Sequence, residues 1–118
     1  MLLFAAALAV CSTGPRDHCV HDGDAVWFEG EKIRIADIDT PELNGACAYE
    51  RALAIRSRDR LLQLLNAGAF EIARNGKDRY GRTLATLHRS GRSIGRQLVK
   101  EGLARTWSGR REPWCRND

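Results

Sequence analysis

No apolar run in this 118-residue chain is long enough to cross a bilayer. The longest, MLLFAAALAVC at the start, falls well short of the ~20 residues that a membrane-spanning helix needs. Positive charge is missing there too: no charged side chain precedes Arg16. No two of the four cysteines share a CxxC spacing, which argues against a zinc site. Repeats and low-complexity stretches are absent. The Asp22-Gly23-Asp24 turn lacks the glutamate that closes an EF-hand loop, since Phe28, Lys32 and Ile33 occupy that region. A spanning helix, a zinc module, a repeat array and an EF-hand are thereby set aside.

What remains has an ordinary folded composition, with 43% hydrophobic and 29% charged residues. The length fits one domain. The start reads as a secretory hydrophobic region without its positive flank, and Ala7-Leu8-Ala9 fits a small-residue cleavage signal. Residues 1–13 are therefore expected to be a leader, and 14–118 a single domain. Leu8-Ala9-Val10-Cys11 also resembles a lipoprotein processing site, which would anchor the chain at Cys11, although Val10 is larger than the usual residue there. A buried first strand fits less well, because the run is rich in alanine and poor in β-branched residues. Export to a secreted or periplasmic location would let Cys11, Cys19, Cys47 and Cys115 form two disulfides. Their pairing is not legible.

The net charge is +4 and the pI about 9.2, which favours polyanionic partners, nucleic acid or an anionic membrane surface; charge alone does not distinguish these from a solvated basic surface. Acids cluster between Asp22 and Glu50, and arginine and lysine dominate from Arg51 onward.

Secondary-structure signals alternate in kind along the chain. A short strand is expected near Arg16–His21, and a second at Val26-Trp27-Phe28, turning at Glu29-Gly30-Glu31. Ile33 and Ile35 alternate with Arg34 and Ala36, so Arg34 should face away from the two isoleucines. Ala54, Leu61, Leu62 and Leu65 recur at helical spacing within residues 44–68, with Asn66 or Gly68 as the stop. Residues 69–74 and 83–89 read as strands around a polar loop at 75–82. Ser93 caps a helix that Gly102 ends, and the rest reads as an irregular basic tail. The order β-β-β-α-β-β-α is that of a five-stranded OB-fold barrel with two packed helices.

Three segments carry polar residues that strand packing does not require: DGDA (22–25), RIADIDTPE (34–42) and DRYGR (78–82). Asp24 and Asp39 are hard oxygen donors suited to Ca²⁺ or Mg²⁺. Taken singly, each segment reads as a turn or a helix entry. Arg34 and Arg82 offer planar forks for phosphate oxygens, and Glu42 can orient or deprotonate a water.

Together, VHDGDAVWF, RIADIDTPE, DRYGRTLATL and LVKEGLAR resemble the staphylococcal-nuclease (thermonuclease-like) family over roughly Cys19 to Trp107. The resemblance implies an OB-fold endonuclease hydrolysing phosphodiester bonds of DNA and/or RNA with Ca²⁺, or with Mg²⁺ or Mn²⁺ in its place. It implies Asp24, Asp39 and the Thr40 carbonyl as metal ligands. Arg34 and Arg82 become the phosphate and transition-state arginines, Glu42 the water-positioning residue, and Arg79 and Tyr80 the nucleotide-flanking pair. Ala25 stands where the family commonly has threonine, and the tyrosines that often follow LA are absent, leaving Trp107 nearby to stack on a base or to pack the tail. Asp37, His18, His21 and His88 receive no role. A monomer is expected. The competing expectation is a non-catalytic OB module that binds nucleic acid or a protein partner.

Overall fold

The structure, a computed structural model, describes residues 2–4 and 7–115, with the backbone alone at 2–4. Met1, Ala5 and Ala6 of the expected leader and residues 116–118 of the expected tail lie outside the described residues. The chain runs β1 (Leu2–Phe4), β2 (Ala9–Val10), β3 (Cys19–Asp22), β4 (Ala25–Phe28), β5 (Glu31–Ile35), β6 (Ile38–Asp39), α1 (Ala48–Asn66), β7 (Phe70–Lys77), β8 (Thr83–Arg89), β9 (Arg92–Ser93), α2 (Ile94–Lys100) and β10 (Arg105–Thr106). The expected succession of three strands, helix, two strands and helix is its backbone.

Local chemistry explains the main elements. The hairpin between β4 and β5 turns at Glu29 and Gly30, with φ of 48° and 78°. That pair of positive φ values belongs to the tight turn matching the twist of two antiparallel strands. In β5, Ile33 and Ile35 are fully buried and Arg34 lies on the other face, as the alternation requires. Along α1, Glu50, Leu53, Ala54, Ser57, Leu61 and Leu65 form one buried stripe at three- and four-residue spacing. At the start of α2, the Ser93 hydroxyl accepts from the Arg96 N–H at 3.1 Å. The same hydroxyl donates to Asp37 Oδ2 at 2.6 Å, which gives Asp37 a structural task. Gly102 ends the helix at φ 77°.

The sheet order is β1-β7-β8-β5-β4-β3-β2, with β9 on β8. All of its pairings are antiparallel except β2 with β3 and β5 with β8, which are parallel. Of the expected five-stranded barrel with two helices, the strands and both helices are present, and among the described residues the sheet does not close on itself. Closure would join β7 to β3, but β1 holds the outer edge of β7, and β2 holds that of β3. The chain's first residues thus cap both edges. Leu8 between them is buried in the core, and its N–H and carbonyl both bond to the Asn66 side chain, at 2.9 and 3.0 Å.

Two further differences are local. Strand β7 continues through Asn75-Gly76-Lys77, so the polar loop begins only at Asp78; a register shift between Arg74 and Lys77 carries the strand outward. The tail is not irregular throughout: β10 pairs with β6, setting Arg105 opposite Asp39. The buried core joins Val20, Val26, Phe28, Ile33, Ile35, Phe70, Leu87 and Leu98 to the α1 stripe. No described helix is long and apolar enough to cross a membrane.

Disulfides link Cys11 to Cys19 and Cys47 to Cys115, with sequence separations of 8 and 68. The longer loop removes more unfolded-state entropy. Replacing Cys47 and Cys115 by alanine should therefore lower unfolding free energy by about 4 kcal/mol, against about 2.5 kcal/mol for the Cys11 and Cys19 pair, in denaturant titrations.

Arg60 joins α1 to Glu101 through two hydrogen bonds of 2.7 and 2.9 Å. Those bonds, and a third from Gln97, hold the Glu101 carboxyl down at about 2. The folded value lies below the unfolded one, so the stabilisation is present above pH ~4.3 and is lost as pH falls towards 2. Urea midpoints should show wild type ahead of Glu101→Gln at pH 6, with the gap closing by pH 2.

Candidate active site

The three motif segments meet at one end of the sheet. DGDA forms the turn between β3 and β4, where the Asp24 N–H donates to Asp22 Oδ1 at 3.2 Å. Gly23 permits the approach of other elements: a Cβ there would lie 2.9 Å from Thr40 Cγ2 and would collide with Ser57 Oγ of α1. Glycine thus lets the turn lie directly against Thr40. The Thr40 N–H then donates to Asp24 Oδ2 at 3.3 Å, which joins the first two motifs.

Arg34 extends from the non-core face of β5. Its guanidinium donates to the carbonyls of Ile35 and Ile38, the latter at 2.9 Å, and lies 3.6 Å from Asp24 Oδ2. Trp107 stacks over it, 5.5 Å from guanidinium carbon to ring centroid. The parallel pairing of β5 with β8 sets Arg34 beside Leu84, two residues past Arg82, so the third motif joins the same face. Asp78 orders that loop by accepting from the Tyr80 and Arg82 N–H groups at 2.9 Å each, and from Arg82 Nε at 2.7 Å. Tyr80 is 70% exposed, with the guanidinium groups of Arg79 and Arg82 at 5.1 and 5.8 Å from its ring. Arg34, Arg79, Tyr80, Arg82, Trp107 and Arg111 line a groove of about 450 Å³.

Glu42 lies on a loop held from within. Glu50, buried in the first turn of α1, accepts from the Glu42 N–H at 2.9 Å and the Ala46 N–H at 3.3 Å. Gly45 is required here, because a Cβ would run into the Glu50 side chain.

One participant escaped the sequence reading. Arg111, from the tail, is 2.6 Å from Glu42 Oε1 and 3.5 Å from Asp39 Oδ1, and donates to the Thr40 carbonyl at 3.3 Å. The tail is folded back by Arg105, which donates to the Glu112 and Pro113 carbonyls and stacks 3.7 Å from the Trp114 ring centroid. Cys115, bonded to Cys47 beside α1, fixes its end. Cys115 was the available signal, but without its partner the tail's direction was not legible. Both Arg111 and Glu42 are nearly half exposed, so their pair is worth roughly 1 kcal/mol or less, weak enough to exchange for another ligand.

Electrostatically the site has more buried negative charge than its neighbours satisfy. Burial, and then the Asp24 charge, push the Asp22 carboxyl up to about 8. Burial also raises Asp39, against the pull of Arg111. Asp39 Oδ1 and Thr40 Oγ1 are buried without a hydrogen-bond partner among the described residues. Among those residues no three carboxylate, histidine or cysteine side chains converge into a complete metal cage. Two carboxylates plus the Thr40 carbonyl, with waters completing the shell, nevertheless fit a hard divalent cation. Two of the histidines have partners elsewhere: His18 Nδ1 accepts from the Glu29 N–H, and His88 bonds Thr86.

Comparison with known proteins agrees with this geometry. The family described as "Staphylococcal nuclease homologue" matches residues 32–117, which takes in the second and third motifs and the tail. A Haemophilus influenzae protein named "Uncharacterized endonuclease" is 32% identical over 113 residues, 88% of this chain and 60% of that protein. Endonuclease YncB of Bacillus subtilis is 33% identical over 91 residues, covering 71% of this chain and 43% of its own. The succinoglycan biosynthesis protein ExoI of Rhizobium meliloti is 32% identical over 93 residues, 72% of this chain and 48% of that one. The chain spans about half the length of the curated relatives it matches. Sequence match, motif register and site geometry agree: the chain belongs to the staphylococcal nuclease homologue family.

Proposed function

We propose that the chain is a divalent-cation-dependent endonuclease, using Ca²⁺ and hydrolysing phosphodiester bonds of DNA and/or RNA. The observation that carries this reading is that Asp24, Asp39, Thr40 and Glu42 are held by Arg34 and Arg111, two arginines that also line the groove with Arg82. A purely ion-paired surface has no need of a buried carboxylate oxygen that accepts no hydrogen bond and has a guanidinium only at 3.5 Å. Two relatives named as endonucleases support the same reading.

In this assignment Asp24, Asp39 and the Thr40 carbonyl hold the cation. Bound there, the cation supplies charge neutralisation and Lewis-acid polarisation of a phosphate oxygen. Arg34 and Arg82 grip the non-bridging oxygens of the scissile phosphate and match the charge that grows on them as water attacks. Glu42 orients that water and takes its proton; the water oxygen bonds to phosphorus as the bond to the leaving oxygen breaks. Tyr80, flanked by Arg79, offers an exposed ring on which a base stacks, and Trp107 offers a second face. The two disulfides suit an oxidising compartment, supporting a secreted or periplasmic location.

Cleavage of plasmid DNA and of RNA, with Ca²⁺ and with chelator, tests the activity directly. Ca²⁺-dependent cutting is expected; cutting that chelator leaves unchanged, or none with any divalent ion, would overturn the reading. The second outcome would leave the non-catalytic binding module. Arg82→Ala should lower kcat by about 10²–10³-fold, and Glu42→Gln by roughly 10²–10⁴-fold, with circular dichroism unchanged. Ca²⁺ should also raise the melting temperature by several degrees at saturation. Asp39→Asn should abolish that shift.

A further inference from the structure

The geometry points to Arg111 as a mobile counter-charge that competes with the divalent cation for the acid set and, once displaced, grips substrate phosphate. This rests on the nuclease reading above and adds a residue and an order of events to it. Arg111 touches three of the groups assigned around the cation: Glu42, Asp39 and the Thr40 carbonyl. It also lines the groove that Arg34 and Arg82 share. One guanidinium therefore borders both the acids and the phosphate path.

The protein builds toward this placement. The Arg105 contacts and the Cys47–Cys115 bond hold the tail on either side of Arg111. The Arg111 side chain is 47% exposed, so it can swing without repacking the core. Removing water from Asp39, which is 3% exposed, leaves a negative charge that some cation must balance. A fixed guanidinium supplies that balance until a doubly charged ion replaces it. The released fork then faces the groove, where phosphate is the natural bidentate partner.

The test uses the full oxidised chain, with a free-thiol count to verify that both disulfides are intact. Ca²⁺ titrations followed by calorimetry and thermal shift compare wild type, Arg111→Gln and Arg111→Lys. Removing the competing charge should lower the Ca²⁺ midpoint by about five-fold in Arg111→Gln. Arg111→Lys keeps the charge and should return the midpoint towards wild type. On duplex DNA at saturating Ca²⁺, Arg111→Gln should raise KM more than it lowers kcat. Its plot of log kcat/KM against log salt should be shallower by about one unit, as expected for one lost phosphate contact.

A Ca²⁺ midpoint in Arg111→Gln that is unchanged or higher overturns the competition, and an unchanged salt slope overturns the phosphate contact. In both cases Ca²⁺-dependent cutting by wild type leaves the nuclease reading standing. Absence of Ca²⁺ binding and cutting in wild type overturns both readings together.

Discussion

Negative charge withdrawn from water organises this molecule. Asp22, Asp24 and Asp39 are each less than a tenth exposed, in a domain with little interior to hide them. Such groups demand compensation at close range: a carboxylate that stays charged needs a partner, and Asp22, pushed up to about 8 by burial, holds its proton instead. The surrounding structure supplies it in pieces: backbone N–H groups at Asp24 and Thr40, the Arg34 guanidinium, and Arg111 reaching in from the tail. Gly23 is part of the same solution, since only a residue without Cβ lets the acid turn lie against Thr40 and α1. The compensation stays incomplete at Asp39 Oδ1, and chemistry needs such an opening.

Sheet topology does the rest of the assembly. Pairing β5 in parallel with β8 is the one join that brings residues near 34 beside residues near 84. Antiparallel neighbours alone would have set the arginine loop elsewhere. The pleat then decides faces: with Ile33 and Ile35 in the core, Arg34 has no choice but the groove side. Asp37 and Ser93 pin the far side of the same segment, tying the acid strand to the cap of α2.

Local patterns were legible because they are local. The alternation at 33–36, the helical spacing from Ala54 to Leu65 and the Ser93 cap each depend on a few neighbouring residues, and each holds in the structure. The DGDA, RIADIDTPE and DRYGR segments do share one site, although nothing in their spacing alone required it. What sequence reading missed depends on distant partners. Arg111 reaches Glu42, 69 positions earlier, on a tail held by Arg105 and by the bond from Cys115 to Cys47. Asp37 appeared idle because its partner lies 56 residues away. The five-stranded barrel was expected from element order, which says nothing of what else competes for a strand edge.

That competition gives β1 and β2 a meaning of their own. Strands β1 and β2 occupy the outer edges of β7 and β3, the two edges that would have to meet for the sheet to close. Excision of this segment would bare both at once, including the eight-residue β7. A long bare edge is a template for pairing, either with its own counterpart or with another molecule. Strands β1 and β2 thus do for this sheet what closure would otherwise do: with them in place neither of those two edges is bare.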